Sequence, residues 1–288
     1  MYNSIIKKKT GLVLEGGAMR GMYTAGILDV FMEHHIMFDG VIGVSAGAIT
    51  GCSYVSGQNG RTIRYNKKYC KDKRFMSFYS WITTGDLVGN EFCYHELPEK
   101  LDVYDNEAFK KSTMEFYVTC TNLETGEAEY VKIRDMSKEI DYMRASASMP
   151  YVSRIVEKDG MKLLDGGCSD SVPVRAFMKM GYEKNVVILT RPVDYRKKSE
   201  KTGLARIAYK KYPKFVQKLL TRADAYNQML EDIKNLEQQG KIFVIRPEKS
   251  LEIGRMSRDV NKIELVYERG RRDAQTCLSQ MLEWMNRP

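Results

Sequence analysis

The segment Gly43-Val44-Ser45-Ala46-Gly47 sets a serine between two glycines where an apolar strand, residues 38–43, gives way to a small-residue helix that begins at Ser45. A strand that turns into a helix over a single residue needs glycine on both sides, so that the two backbones approach without a Cβ between them. The same alternation runs upstream. Residues 11–15 form a short apolar strand, residues 16–21 a glycine-rich loop, and residues 22–35 place Met22, Ala25, Ile27, Leu28, Phe31 and Met32 at helical spacing. Strand, loop, helix, strand, turn and helix make a βαβ unit, which predicts an α/β fold around a mainly parallel sheet.

Downstream, residues 115–121 and 127–133 read as two strands joined by a turn, an antiparallel addition that makes the sheet mixed. Residues 138–148 are helical and stop before Pro150. Residues 161–164 form a short strand ending in Asp165-Gly166-Gly167, and residues 172–180 and 185–190 read as a helix and a buried strand. Between them and the first unit, residues 61–106 are aromatic, basic and weakly periodic, the pattern of irregular helices and loops over a sheet edge. Beyond residue 190 the pattern predicts a helix at 218–239, a strand at 241–245 and a helix at 261–285. The 288 residues therefore divide into a core, 1–190, and a basic, α-rich C-terminal extension, 191–288.

Ser45 on such a turn has its hydroxyl exposed, and the helix that starts there aims its N-terminal dipole at a developing oxyanion. The loop Gly16-Gly17-Ala18-Met19-Arg20-Gly21 has two readings. Gly16, Ala18 and Gly21 occupy the G-x-G-x-x-G positions of a dinucleotide loop, but the second strand ends in Ser45 where that motif requires an acid, and no Gly-Lys-Ser/Thr follows. An oxyanion hole built from the N–H groups of Gly16, Gly17 and Ala18 fits better, with Arg20 orienting the loop. A serine nucleophile needs a base. The chain has three histidines: His34 and His35 lie at the far end of the first helix, and His95 falls in the irregular stretch. Asp165, delivered by a strand and followed by two glycines, is the remaining candidate, provided it is held within hydrogen-bond reach of Ser45.

Taken together, four blocks in order resemble the patatin-like phospholipase family. Gly16 to Gly21 is similar to its G-G-G-x-R/K-G loop, departing at Ala18, and Gly43 to Gly47 is similar to its nucleophile elbow. Ala145-Ser146-Ala147-Ser148-Met149-Pro150 is similar to its A-S-x-x-x-P block, and Asp165-Gly166-Gly167 to its D-G-A/G motif. The resemblance covers residues 11–174. It implies a three-layer α/β/α fold, a Ser45–Asp165 dyad with Arg20, Gly21, Gly43, Gly47, Gly166 and Gly167 as supporting motif residues, and hydrolysis of phospholipid or lysophospholipid esters without calcium. The alternative is a lipid- or membrane-binding module with weak or no hydrolysis.

The charge is uneven. Residues 191–222 hold eleven lysines and arginines against two acids, an excess equal to the +9 of the whole chain. Leu204, Ile207, Ala208, Tyr212, Phe215, Val216, Leu219 and Leu220 interleave them at near-helical spacing, with Pro213 a break or kink. Such a segment either packs its apolar face on the protein's own core or lies on an anionic membrane. No nucleic-acid-binding signature accompanies it, so no nucleic acid partner is expected. No apolar stretch is long enough to span a bilayer, and the N-terminal residues lack the order of a secretory signal. The six cysteines show no C-x-x-C or zinc spacing. Free thiols, no metal or cofactor, and a cytoplasmic location with peripheral contact at the inner membrane surface are the expectations.

Overall fold

The computed structural model describes residues 8–199 and 203–287; Ile5 and Ile6 near the N-terminus, and Glu200 and Lys201 of the basic run, lie outside them. Among the described residues, eight strands form one sheet: β1 (Lys9–Leu14), β2 (Gly40–Val44), β3 (Glu115–Asn122), β4 (Ala128–Ile133), β5 (Val156–Lys158), β6 (Met161–Asp165), β7 (Tyr182–Ile188) and β8 (Ile242–Ile245). The order is β5-β6-β3-β2-β1-β7-β8, with β4 also paired to β3. β3, β2, β1, β7 and β8 run parallel, while β4 and β6 are antiparallel to β3 and β5 is antiparallel to β6.

The helices are α1 (Gly21–Glu33), α2 (Ala46–Val55), α3 (Arg61–Tyr69), α4 (Phe78–Thr84), α5 (Asn106–Lys111), α6 (Met136–Ser146), α7 (Val174–Lys179), α8 (Gly203–Ala208), α9 (Pro213–Gln238) and α10 (Val260–Asn286). Successive strand residues face opposite ways. Leu12, Leu14, Val41, Phe116 and Val118 join a core with α1, α2, α6 and α10. Val13, Ile42 and Val187 join a second core with Phe177 of α7 and Tyr226, Leu230 and Ile233 of α9. The sheet is thus covered on both faces, which makes three layers and explains why the central stretches of the parallel strands, Leu12–Leu14, Val41-Ile42 and Val186–Ile188, are apolar on both sides.

The residues beyond 190 are built into these layers. β8 extends the sheet beside β7, and α10 lies along α1 at glycine-to-backbone distance. A Cβ added at Gly26 would stand 2.1 Å from the Tyr267 carbonyl oxygen, and one at Gly270 would stand 2.0 Å from that of Tyr23. The basic run is broken at Pro213, as its sequence predicts: α8 ends at Ala208, and Pro213 occupies the first turn of α9, where its missing N–H would have no partner anyway, so that helix starts at 213 instead of 218. The weakly periodic stretch after residue 61 contains α3, α4 and a π-helical run, Phe92–Leu101, which includes Pro98. A proline removes one N–H from the ladder and widens the turn around it.

Candidate active site

Ser45 and Asp165 are brought together by strand register. β2 pairs with β3 as far as Val44 opposite Thr119, and β6 pairs with β3 from Leu163 opposite Asn122 to Asp165 opposite Cys120. Because β4 holds the other edge of β3, β2 and β6 share one edge and run toward each other. Their C-terminal ends therefore meet across the consecutive residues Thr119 and Cys120. The Ser45 hydroxyl, just past the end of β2, comes close enough to the Asp165 carboxylate to favour its charged form.

The backbone of Ser45 is strained, with φ 54° and ψ −122°. Such a conformation costs about 1–3 kcal/mol in a non-glycine residue and persists only when its surroundings enforce it. Here the Ser45 N–H donates to Ser146 Oγ at 2.8 Å, and Ser146 Oγ donates to the Thr119 carbonyl at 2.7 Å. The glycines of the elbow admit the neighbouring backbones: a Cβ at Gly43 would come within 2.5 Å of Ala48, and one at Gly47 within 2.5 Å of the Leu14 carbonyl oxygen.

The glycine loop packs directly on this elbow. A Cβ at Gly16 would lie 3.1 Å from Ser45 Cβ, and one at Gly21 would lie 2.8 Å from Ala46 Cβ. Ala18 takes a φ of 49°, a left-handed conformation unusual for alanine, and it lines the same cavity as Ser45. Among the described residues, the N–H groups of Gly17 and Ala18 donate to no protein acceptor. Arg20 is buried and its Nε donates to Thr190 Oγ1 at 3.3 Å, while Glu15 accepts hydrogen bonds from Thr190 and from the Tyr226 hydroxyl. Burial, then the charge of Arg191, lowers the Arg20 pKa.

Asp165 is 5% exposed. Its N–H donates to the Ser148 carbonyl at 2.9 Å, and its carbonyl accepts from Thr121 Oγ1 at 2.8 Å. Its Oδ1 accepts the Gly167 N–H at 2.8 Å, and Arg222 Nε donates to the Gly167 carbonyl at 2.6 Å. Gly166 turns against β3 so closely that a Cβ there would stand 2.2 Å from the Thr119 carbonyl oxygen. Burial raises the Asp165 pKa above the ordinary carboxylate value; the Arg222 charge, the Ser45 hydroxyl, the Gly167 N–H and Lys197 oppose the rise in that order.

In front of Ser45 lies a cavity of about 170 Å³. Met19, Met22, Ile49, Met76, Ile140 and Met143 are among its apolar wall, and buried Arg61, paired with Asp102, adds one cation to it. None of the three histidines lines it. His34 caps the C-terminal end of α1, His35 follows it, and His95 is half-buried and lies 3.4 Å from Glu99. The six cysteines are free thiols. Among the described residues no group of three or more His, Cys, Asp or Glu side chains is placed to hold a metal ion, and no helix is long and apolar enough to cross a membrane.

Reading the motifs alone leaves out four contributors: Ser146, the Ser148 carbonyl, Thr121 and Arg222. The two serines fall inside a block whose position after a helix is visible, yet their partners lie 101 and 17 residues away. Arg222 is one of eleven cations in its segment, and nothing local distinguishes it.

The patatin-like phospholipase family matches residues 12–178, and a domain family of unknown function (DUF6363) matches residues 212–286. The chain is 29% identical over 188 residues to the uncharacterized protein YjjU of Escherichia coli K12, covering 64% of this chain and 52% of that protein. It is 28% identical over 191 residues to lysophospholipase NTE1 of Eremothecium gossypii, covering 65% of this chain and 12% of the other. The chain thus spans about half the length of the first relative and about an eighth of the second. Among solved structures it is similar to VipD from Legionella pneumophila, with a TM-score of 0.47, 12% identity, and coverage of 95% of this chain and 67% of that one. The patatin-like match takes in more than half of the chain and includes the glycine loop, the Ser45 elbow, the block before Pro150 and Asp165: the chain belongs to the patatin-like phospholipase family.

Proposed function

We propose that this chain hydrolyses acyl esters of lipids, with Ser45 as nucleophile and Asp165 as its base. The observation that carries the reading is the register that brings Ser45 and the buried Asp165 carboxylate together at the meeting ends of β2 and β6, beside an apolar cavity that no histidine lines. Asp165 takes the Ser45 proton as Oγ attacks the ester carbonyl. The oxyanion forms against the N–H groups of Gly17 and Ala18, with Gly16 shaping the loop, and the alcohol leaves with the proton held by Asp165. Water, deprotonated in turn by Asp165, attacks the acyl-Ser45 ester and releases the fatty acid.

Two physical points favour an aspartate in this role. Burial raises its pKa and so makes its carboxylate a better base than an exposed one, while the charge of Arg222 opposes that rise and favours the ionised form. The methionine-rich wall suits one flexible acyl chain, because unbranched thioether side chains adapt to irregular apolar ligands. Phospholipid and lysophospholipid esters are the proposed substrates. Hydrolysis of a short-chain nitrophenyl ester by purified protein tests the reading: Ser45→Ala and Asp165→Asn each lose at least about a thousandfold in kcat, as removal of a triad member does. Full activity in either, or loss confined to His95→Ala, refutes it.

A further inference from the structure

We propose that α4 and α8 form a docking surface for an anionic lipid bilayer at the mouth of the Ser45 cavity. α4 has the sequence FYSWITT, without a charge, and Phe78, Tyr79, Trp81 and Ile82 are 65%, 54%, 39% and 77% exposed. Only Ser80 of this helix is buried, its hydroxyl donating to the Asp86 carbonyl at 2.8 Å. On α8, Leu204 and Ile207 are 57% and 74% exposed. Six of the twelve large apolar side chains that are exposed among the described residues fall on these two short helices, and a cluster of this kind marks an interaction site.

Both helices are tied to one short loop, residues 151–154. The Leu87 N–H donates to the Val152 carbonyl at 2.8 Å and the Arg154 N–H to Asp86 Oδ1 at 2.8 Å, which fixes the end of α4. The Tyr151 N–H donates to the Tyr209 hydroxyl at 2.8 Å, with the two rings 5.5 Å apart, which fixes the end of α8. Three residue steps span at most about 11 Å, so the two anchors are neighbours. The same loop follows Met149, which lines the cavity, and Ser148, whose carbonyl holds the Asp165 N–H.

Charge complementarity selects the occupant. Lys73, Arg154, Arg206, Lys210, Lys211 and Lys214 are exposed around the two helices, and residues 203–222 contain no acid. A second copy of the chain would oppose cation to cation. An anionic bilayer offers phosphates to the lysines and an interface where tryptophan and tyrosine rings sit well. This divides the basic run expected to touch membrane: Phe215 and Val216 of α9 are buried in the protein's own core, whereas Leu204 and Ile207 of α8 are exposed and join the apolar side chains of α4.

The surface draws on the hydrolase reading only for what it delivers to Ser45, and the test separates the two. Ser45→Ala protein is titrated with vesicles of phosphatidylcholine alone and of phosphatidylcholine mixed with phosphatidylglycerol, at low salt. Trp81 reports insertion, because the other tryptophan, Trp284, is 8% exposed and its indole N–H is already bonded to the Gly240 carbonyl. The expected result is a blue shift with anionic vesicles, quenching by lipids brominated on their acyl chains, and at least about a tenfold loss of vesicle affinity in Ile82→Asp and in Ile207→Asp. In the Ser45 background these two variants hydrolyse a soluble short-chain ester at the unaltered rate and vesicle lipid more slowly. No vesicle binding at low salt, or binding untouched by both variants, overturns the proposal. So does a concentration-dependent dimer that Ile82→Asp dissolves while vesicles leave Trp81 unchanged.

Discussion

Ser146→Ala is the most informative single perturbation away from the dyad. Ser146 is fully buried, and its Oγ accepts the Ser45 N–H at 2.8 Å while donating to the Thr119 carbonyl at 2.7 Å. Alanine removes both bonds and leaves a buried N–H without its partner, at a stability loss of about 1–3 kcal/mol. That is comparable to the strain in the Ser45 backbone, so the elbow relaxes once its support is gone. A nucleophile displaced by about 1 Å loses roughly a hundredfold in rate. Steady-state turnover of a soluble nitrophenyl ester should therefore show kcat about a hundredfold lower with KM little altered, and Tm lower by about 2–4 °C for each kcal/mol lost. Ser148→Ala is the matched control. Its hydroxyl donates to the Arg144 carbonyl at 2.8 Å, and its contact with Asp165 is through the main chain, so activity stays within about twofold of the parent. Parent-like turnover in Ser146→Ala, or equal losses in both variants, would refute the claim that the Ser146 side chain holds the nucleophile.

Asp165 must be ionised to act, so burial places the acid limb of kcat/KM above the range of an exposed aspartate, about 3.9. Arg222 lowers that pKa; Arg222→Gln therefore moves the limb to higher pH and Arg222→Lys leaves it near the parent, whereas a move to lower pH contradicts the assignment. The cavity of about 170 Å³ is close to one of about 150 Å³ that accommodates benzene. Across a nitrophenyl ester series, kcat/KM should rise to acyl chains of about six to eight carbons and then level. Ile140→Ala, which widens the wall, shifts the optimum to longer chains, and an unmoved optimum places the acyl chain elsewhere. Gly26→Ala drives a Cβ to 2.1 Å from the Tyr267 carbonyl oxygen, so thermal unfolding should show about 1–3 kcal/mol of destabilisation with activity per folded molecule unaltered.

Much of the fold is legible because its signals are local. The glycines around Ser45 and the 3.6-residue spacing of residues 22–35 identify the βαβ unit, and the two glycines after a short apolar strand single out Asp165 once the histidines are located. What escapes is set by pairing at long range. No local pattern says that β2 and β6 share one edge of β3, yet that register brings Ser45 to Asp165. Strand β5, only three residues long, is announced solely by the Asp159-Gly160 turn, where both residues take positive φ. In the basic run the same helical spacing describes Phe215, which is buried, and Ile207, which is 74% exposed; the difference arises from what each meets in space.

The central claim, that Ser45 is activated by Asp165 and by no histidine, is tested most directly by an active-site-directed fluorophosphonate, with the labelled peptide identified by mass spectrometry and the labelling rate compared across variants. A dyad predicts label on Ser45, none in Ser45→Ala, a rate at least about a thousandfold lower in Asp165→Asn, and the parent rate in His95→Ala. Label on another residue, or parent-rate labelling of Asp165→Asn, would contradict it.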